Sequence, residues 1–565
     1  MPSPSRPRTT PVFFGLVASA CAVASACGLP LTYDGSYYYF RTLDDQQAFT
    51  PYNRLIDLLQ LPMLAASSVT DDTRVLALLF SMAHMAVPLV SLLVCWWIVR
   101  EHPRLFVWPV LGIGLFSLPG EVASIYQSVS ATQLAWPIIL ALLAGYRRMT
   151  WLIVAVFGAV VAFCHPVAVV LLAGMTGLAV VRRLAQPERS RQYLGLAAGL
   201  AALSVVAMLR AVMSNELDAD HMQEPLLTTL RSATAGNVRV MLVLGAAGGL
   251  LLVAASALRR RGSRVWATRS EIAALLTLAG AGAVLIPWAA DPHALPVSQP
   301  YRFVVPFTTA FLMVLAVADS WLLGAVGRPA PAPPDTPAQG EPDGDRRIRG
   351  WTVVSQAVLL FAVLAACSLV WRDQTDRLEA ALDSSTSLCT GVDSLDWAQG
   401  TLLDDWSVTA TSIAIQSRTV TRVAAPTCTF DFAPGLPVIQ SRSIYTPYNR
   451  GWFDLSALAR LRPGPAAYFE VRIVTPYQAG EPHSITVTAR DANGSLASGY
   501  RGTVVFTSSD PAAILPAEYT FSSEDGGLHY FMFQATMWTP GTQWLAVTDV
   551  SDPAITGRQE GIEVH

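Results

Sequence analysis

Lysine is absent from the 565 residues, so all 38 basic side chains are arginine. That excludes a G-x-x-x-x-G-K-[ST] phosphate loop and a lysine Schiff base. Any grip on phosphate or carboxylate falls to arginine, whose planar fork binds oxygens in pairs. A codon bias toward arginine accounts for most of this skew. Charge of either sign is scarce too: 14% of residues are charged, against roughly 25% in an ordinary soluble chain. The deficit is local, since charges are sparse up to Trp371 and ordinary after it. With 52% hydrophobic residues and a mean hydropathy of +0.41, the chain divides into a membrane part and a soluble part. A net charge of −3 and the lack of a basic stripe interleaved with aromatics give no sign of nucleic-acid binding. The seven cysteines include no C-x-x-C pair, which excludes the usual zinc and redox spacings. Cys21, Cys27, Cys95, Cys164 and Cys367 lie in apolar stretches, whereas Cys389 and Cys428 lie in the soluble region. If that region faces an oxidising compartment, a Cys389–Cys428 disulfide is expected.

What is present is a series of apolar runs. A spanning helix needs roughly 20 mostly apolar residues. Candidate spans fall near 11–29, 75–99, 105–120, 130–146, 151–163, 167–181, 193–213, 237–258, 271–290, 303–325 and 352–371. With Arg6 and Arg8 inside, the pairs Arg100/Arg104, Arg147/Arg148 and Arg182/Arg183, then Arg259–Arg261 and Arg346, Arg347 and Arg349, all fall inside. Loops on the other side carry fewer arginines and more acids, such as Glu216, Asp218 and Asp220. The stretch 151–181 is flanked by arginines at both ends, which requires an even number of crossings. Two short helices breaking at His165-Pro166 satisfy this, because proline removes a backbone donor and disfavours helix before it. Arg6 and Arg8, an apolar run and Ala24-Ser25-Ala26 also fit a cleavable signal peptide. A retained helix is the expectation, because such signals usually precede soluble or single-span chains. The predicted class is a polytopic α-helical membrane protein of about eleven helices. A C-terminal extracytoplasmic region should hold a small α/β element and an all-β sandwich.

The domain boundaries follow composition. Residues 1–328 form the main helical part, and 329–350 a proline-rich cytoplasmic linker. Residues 351–371 are the last span, 372–465 the α/β element and 466–565 the sandwich. In the α/β element, 374–383 reads as a short helix and Ser412-Ile413-Ala414-Ile415 as a strand. In the sandwich, short alternating runs cover 469–473, 484–490, 503–507, 528–534, 543–548 and 561–564, and Asn493-Gly494 marks a hairpin turn. The stretch ITVTARDANGSLASGYRGTVVFTSSDPAAILPAEYTFSSEDGGLHYF, followed by GTQWLAVTD, resembles the bacterial Ig-like repeats of invasin-type surface proteins. The resemblance covers about 90 residues and implies an immunoglobulin-like spacer or adhesive module. A single copy would then serve as a lid, a spacer or a contact for an envelope protein or glycan.

Ionisable residues at a membrane lip are functional candidates, because stranding charge in lipid is costly. The first outer loop opens with Tyr33-Asp34-Gly35-Ser36-Tyr37-Tyr38-Tyr39-Phe40-Arg41. An acid among aromatics could be a general base with a raised pKa or a metal ligand. Tyrosines here also suit an interfacial belt, and Asp34 could cap a loop helix. This arrangement resembles the GT-C class of polytopic glycosyltransferases, which use polyprenyl-phosphate sugars and place a catalytic acid just after the first helix. The resemblance implies Asp34 as the catalytic base, with Tyr33, Tyr37, Tyr38, Asp44 and Asp45 lining the substrate site. It also implies Arg302, in Tyr301-Arg302-Phe303, as the holder of the lipid phosphate. Glu121, His165 and His293 would line the same cavity, and a divalent metal is left open. The chain would then sit in a bacterial inner membrane with a cytoplasmic N-terminus. A non-enzymatic scaffold displaying the sandwich to an envelope partner is the alternative. A transporter is disfavoured because no obvious repeated half is seen and the spans carry few buried acids of the kind ion coupling needs. The pentapeptide Thr-Pro-Tyr-Asn-Arg occurs at both 50–54 and 446–450, and no mechanism on the sequence requires it.

Overall fold

Long apolar runs become helices even where a proline or glycines stand inside them, as Pro88, Pro137, Gly245, Gly248 and Gly249 do. The computed structural model describes residues 9–49, 54–121, 127–145, 148–213, 236–291, 293, 301, 304–322, 343–401, 403, 407–426, 428, 451–461, 464–473, 475, 477–492, 494, 496–523 and 525–565. They group into two units, Met1–Leu378 with Gly400–Leu403, and Glu379–Gln399 with Asp404–His565.

The first unit begins with α1 (Thr9–Ala26), α2 (Asp34–Asp45), α3 (Leu61–Ala66) and α4 (Thr73–Ile98). It continues with α5 (Gln127–Leu143), α6 (Arg148–Ala162), α7 (Ala168–Ala185) and α8 (Ser190–Met213). Then come α9 (Gly236–Arg260), α10 (Arg264–Ala283, continued by Leu285–Ala289), α11 (Val305–Leu322) and α12 (Asp343–Ser384). Seven of these, α4 and α7 to α12, are long and apolar enough to cross a membrane. Helices α1, α5 and α6 and the segment Pro103–Leu115 are apolar but shorter. Among the described residues each of the eleven expected segments thus holds helix, and the membrane character is plain.

Helix α5 sits at the centre, packed against α4, α6, α7 and α11. All of its residues but Ser130 are buried, as befits a helix apolar on every side. The helix α1 buries Phe13, Val17, Ala20 and Ala24, at spacings of three and four that make one face. That face meets α4, and Phe13 packs edge-on to Phe106. The chain does break between α6 and α7, where 163–167 forms turns around Pro166. The segment from Pro103 is less regular than a simple span. It runs through a 3-10 turn, one α turn and a π-helix over Val110–Leu115. A Cβ on Gly112 would lie 2.3 Å from the Trp136 indole nitrogen, so only glycine allows this approach to α5.

In the second unit, β1 (Cys389–Gly391) pairs in parallel with β2 (Val423–Ala425). Between them runs a helix, α13 (Val408–Ala414), with all seven residues buried. The strand expected at 412–415 is therefore mostly helix. A short apolar run has no periodicity that separates buried helix from buried strand, and the crossover between parallel strands demands the helix. The separate helix expected at 374–383 is instead the end of α12. Cys389 and Cys428 form the expected disulfide, with Cα atoms 5.9 Å apart.

The six expected strand runs are all present as β3 (Tyr468–Ile473), β4 (Pro482–Arg490), β5 (Thr503–Ser508), β7 (Leu528–Thr536), β8 (Gly541–Asp549) and β9 (Thr556–Val564). A two-residue strand, β6 (Tyr519–Thr520), was too short to leave a pattern. They build antiparallel sheets in the orders β3-β4-β7 and β6-β5-β8-β9. Val487, Phe531, Val504, Leu545, Val547 and their inward-facing neighbours from both sheets fill one core. After β3 the chain crosses to the second sheet, where Tyr477 pairs in parallel with Val564. The Asn493-Gly494 signal marks a real reversal, because Gly494 takes φ 83° and Arg490 bridges Leu496. Asn493 itself lies outside the described residues.

Candidate functional site

The chain leaves α1 through Gly28, whose φ of 71° suits glycine, and a 3-10 turn over Leu29–Leu31. It then enters α2 through Tyr33, which holds φ 48° and ψ −120°. A bulky residue at positive φ is strained and must be held by its surroundings. Asp34 follows as the first helical residue of α2, where the helix dipole favours a carboxylate.

Below Asp34 nearly all of α2 is buried, from Gly35 to Asp44. Tyr39 ties it to α4 by donating to the Thr73 carbonyl at 2.9 Å. Gln60 clamps the following loop, accepting from Phe49 N at 2.8 Å and donating to Phe49 O at 3.0 Å. That holds Phe49 edge-on against Tyr37 and Tyr38, with centroids 5.4 Å and 5.2 Å away. Asp45 is engaged in an ion pair with Arg41 at 2.6 Å, and Asp44 is buried.

Tyr38 lies one helical turn below Asp34, on the same face. Its hydroxyl accepts from Gln127 Nε2 at 3.0 Å, and the same amide nitrogen donates to Asp57 Oδ1 at 3.3 Å. Asp57 and Arg54 are both buried at the 3-10 turn that leads into α3. That turn is joined to the end of α6, since Leu55 N donates to Phe163 O at 3.0 Å. Cys164 donates to the Gln127 carbonyl at 3.1 Å. Burial pushes the Tyr38 phenol well above its usual range, with Asp57 and Asp34 adding to the shift and Arg54 opposing it. Tyr38 is therefore a neutral hydrogen-bond donor at any physiological pH. Among the described residues its hydroxyl accepts from Gln127 and donates to none.

The structure thus brings together Asp34, Tyr37 and Tyr38 of the expected site, and adds Arg54, Asp57 and Gln127. Arg54 is the last residue of the first Thr-Pro-Tyr-Asn-Arg copy, the one signal that could have pointed to it. The second copy lies outside the described residues, as does Arg302. Glu121 ends a four-residue helix over Leu118–Glu121, and its side chain is outside the description. His165, half-buried beside Cys164, accepts from Val167 N at 3.2 Å. His293 is exposed and its backbone N–H is held by Asp291 at 2.9 Å. Among the described residues no three His, Cys, Asp or Glu side chains gather as metal ligands.

A second buried polar group, missed on the sequence, lies at the other end of α4. Arg349 donates to Glu271 at 2.9 Å and to Asp319 at 3.0 Å, and Arg259 holds both oxygens of Glu271 at 2.8 Å. Ser256 and Trp108 also donate to Asp319, the latter at 3.0 Å. Both carboxylates are fully buried, so the spans do contain buried acids, each matched to arginine. The group joins the end of α9, the start of α10, the end of α11 and the start of α12. Arg349 also reaches the Arg104 carbonyl at 3.4 Å.

No protein-family model, no curated protein and no solved structure matches the chain.

Proposed function

We propose that the membrane unit is a GT-C-type glycosyltransferase, moving a sugar from a polyprenyl-phosphate donor to an acceptor on the extracytoplasmic face. The observation that carries this reading is a half-buried Asp34 directly after the first helix, with Tyr38, Arg54, Asp57 and Gln127 buried beneath it. Asp34 would take the proton of the acceptor hydroxyl as that oxygen attacks the sugar. Tyr38 offers a donor for a sugar or phosphate oxygen. Arg54 offers a guanidinium able to neutralise the leaving phosphate, the role that the resemblance gives to Arg302.

The orientation follows the arginines. The Arg259–Glu271–Asp319–Arg349 group sits with the arginine-rich connections, at the opposite end of α4 from Asp34, which supports a cytoplasmic face there. The Cys389–Cys428 disulfide supports an oxidising setting for the second unit. The sheet orders and the parallel Tyr477–Val564 bridge support an immunoglobulin-like sandwich. A bacterial inner membrane is the setting consistent with these features.

The test is Asp34→Asn in a strain that lacks the native gene. The variant should reach the membrane at normal levels and leave the surface glycan profile identical to the deletion. A glycan profile restored to wild type would reject the reading. The exposed apolar strand of the sandwich favours a second reading, a scaffold with no chemistry. Removing residues 466–565 separates the two: a scaffold loses its phenotype, whereas an enzyme retains transfer to a small acceptor.

A further inference from the structure

Strand β7 is the outer strand of the three-stranded sheet, paired along its length with β4 and bridged on its other side at Thr536 by Ile514. Leu528, Tyr530 and Met532 alternate along its outward face, and all are exposed. Strict alternation would turn Phe533 inward. Instead the register jumps: His483 faces Ala535 while Ile485 faces Phe531, so Met532, Phe533 and Gln534 stand opposite Ser484 alone. Within this bulge Phe533 takes φ 53°, and its N–H is held by Ser484 Oγ at 3.0 Å. The result is a phenylalanine 67% exposed, next to Met532 at 60%; two residues past the end of β7, Trp538 is 51% exposed, its ring close to Gly480. A strained backbone that ejects an aromatic ring into solvent asks for a partner.

The kind of partner follows from three features. First, the ladder edge is blunted: the bulge interrupts it, and Ile514 closes its end with two hydrogen bonds to Thr536. Bulged and capped edges resist strand addition, so backbone pairing with a second copy is disfavoured. Second, the sequence from Gly526 to Gly541 carries no aspartate, glutamate, lysine or arginine. The charges farther across the same sheet face, Glu470, Arg472 and Arg490, are paired with one another, which leaves a small positive excess suited to lipid headgroups and little to steer a protein partner. Third, the described residues include seven helices of membrane-spanning length, so the chain that carries the sandwich is itself tethered to lipid, which raises the effective concentration of a lipid surface. Tyrosine, tryptophan and phenylalanine are the side chains that settle at the headgroup level. We propose that the β7 stripe is a lipid-docking surface, with Phe533, Met532 and Trp538 entering the interfacial region and Tyr530 at the headgroups. This inference is independent of the chemistry proposed for Asp34.

The experiment uses the full chain in nanodiscs containing lipid brominated near the headgroup, with an environment-sensitive fluorescent amino acid at position 533. A second variant carries the probe at 530, which lies in regular register on β7, in case the bulge does not tolerate it. A third carries it at Val550, an exposed apolar residue outside the stripe. Most of the emission should be lost to bromine at 533 and 530, with none lost at 550. Unquenched emission at both stripe positions, or equal quenching at all three, overturns the proposal. A photo-crosslinker at 533 should yield a lipid adduct in native membranes. An adduct with a second copy or with another protein overturns it as well.

Discussion

Phe533 and Tyr33 share a backbone peculiarity, positive φ in a bulky residue, and each stands beside a candidate surface or site. Gln46, the third such residue described, closes α2 in a left-handed conformation, so α2 is bracketed by unusual geometry at both ends. At Phe533 the strain can be relieved without touching the core, because the ring is exposed. Phe533→Gly should raise the stability of the sandwich by about 1 kcal/mol, since glycine takes positive φ without steric cost. Chemical unfolding followed by a sandwich-specific probe would measure it, and a loss of stability would show that the ring packs usefully. Asp510 makes the opposite case, a side chain whose ionised form is built in. Burial opposes its charge, but the Thr539 hydroxyl and the N–H groups of Thr539, Ala512 and Trp538 outweigh burial and hold the carboxyl at about 2. Because the folded value is depressed, the stabilisation is complete above the unfolded value near 4 and fades as pH falls toward 2. Between pH 5 and pH 2 the sandwich should lose about 2 kcal/mol through this group. In Asp510→Asn the unfolding midpoint should start lower and lack that part of the acid dependence.

Among the helices, the charge group around Arg349 does what apolar packing alone does not: it matches four helix ends to one another. A buried pair adds little over apolar residues of the same shape, but removing one partner strands the other. Arg349→Met should therefore cost about 3–5 kcal/mol, because Asp319 loses its only guanidinium among the described residues while Glu271 keeps Arg259. Adding Asp319→Asn to that variant should recover part of the loss in thermal melts of the reconstituted chain. An equal loss with and without the second change would mean that the stranded charge is not the cause. This group also shows where reading the sequence stops. The apolar runs and the Pro166 break were legible, because hydrophobicity and proline act locally. Glu271 and Asp319 looked like ordinary acids near helix ends, and their partner lies 78 and 30 residues away in the chain. Helix rotation decides such pairing, and no local pattern encodes it. The same holds at the candidate site: Asp34 was visible as an acid amid tyrosines, but Asp57 and Gln127 meet only because α2, the 55–60 turn and α5 converge. In the sandwich, alternation gave the strands, but not the bulge that reverses Phe533.

At the scale of the whole chain the orientation rests on arginine placement, and the disulfide offers a check that shares none of its assumptions. Cys389 and Cys428 close a loop of 39 residues around the β1–α13–β2 element. By chain entropy a loop of that length contributes about 4 kcal/mol, so the element should loosen when the bond is reduced. The bond persists only in an oxidising compartment. In intact cells whose free thiols have been blocked with a membrane-permeant alkylating agent, both cysteines should stay unmodified. A membrane-impermeant reductant should then open the bond and let both be labelled by an impermeant maleimide, without lysis. If the second unit instead faces the cytoplasm, both would be found alkylated in the first step. That outcome would require an even number of crossings before residue 389 from a cytoplasmic N-terminus. The separation of α6 from α7 at 163–167 argues against it, because fusing the two into one crossing is the simplest way to change the parity.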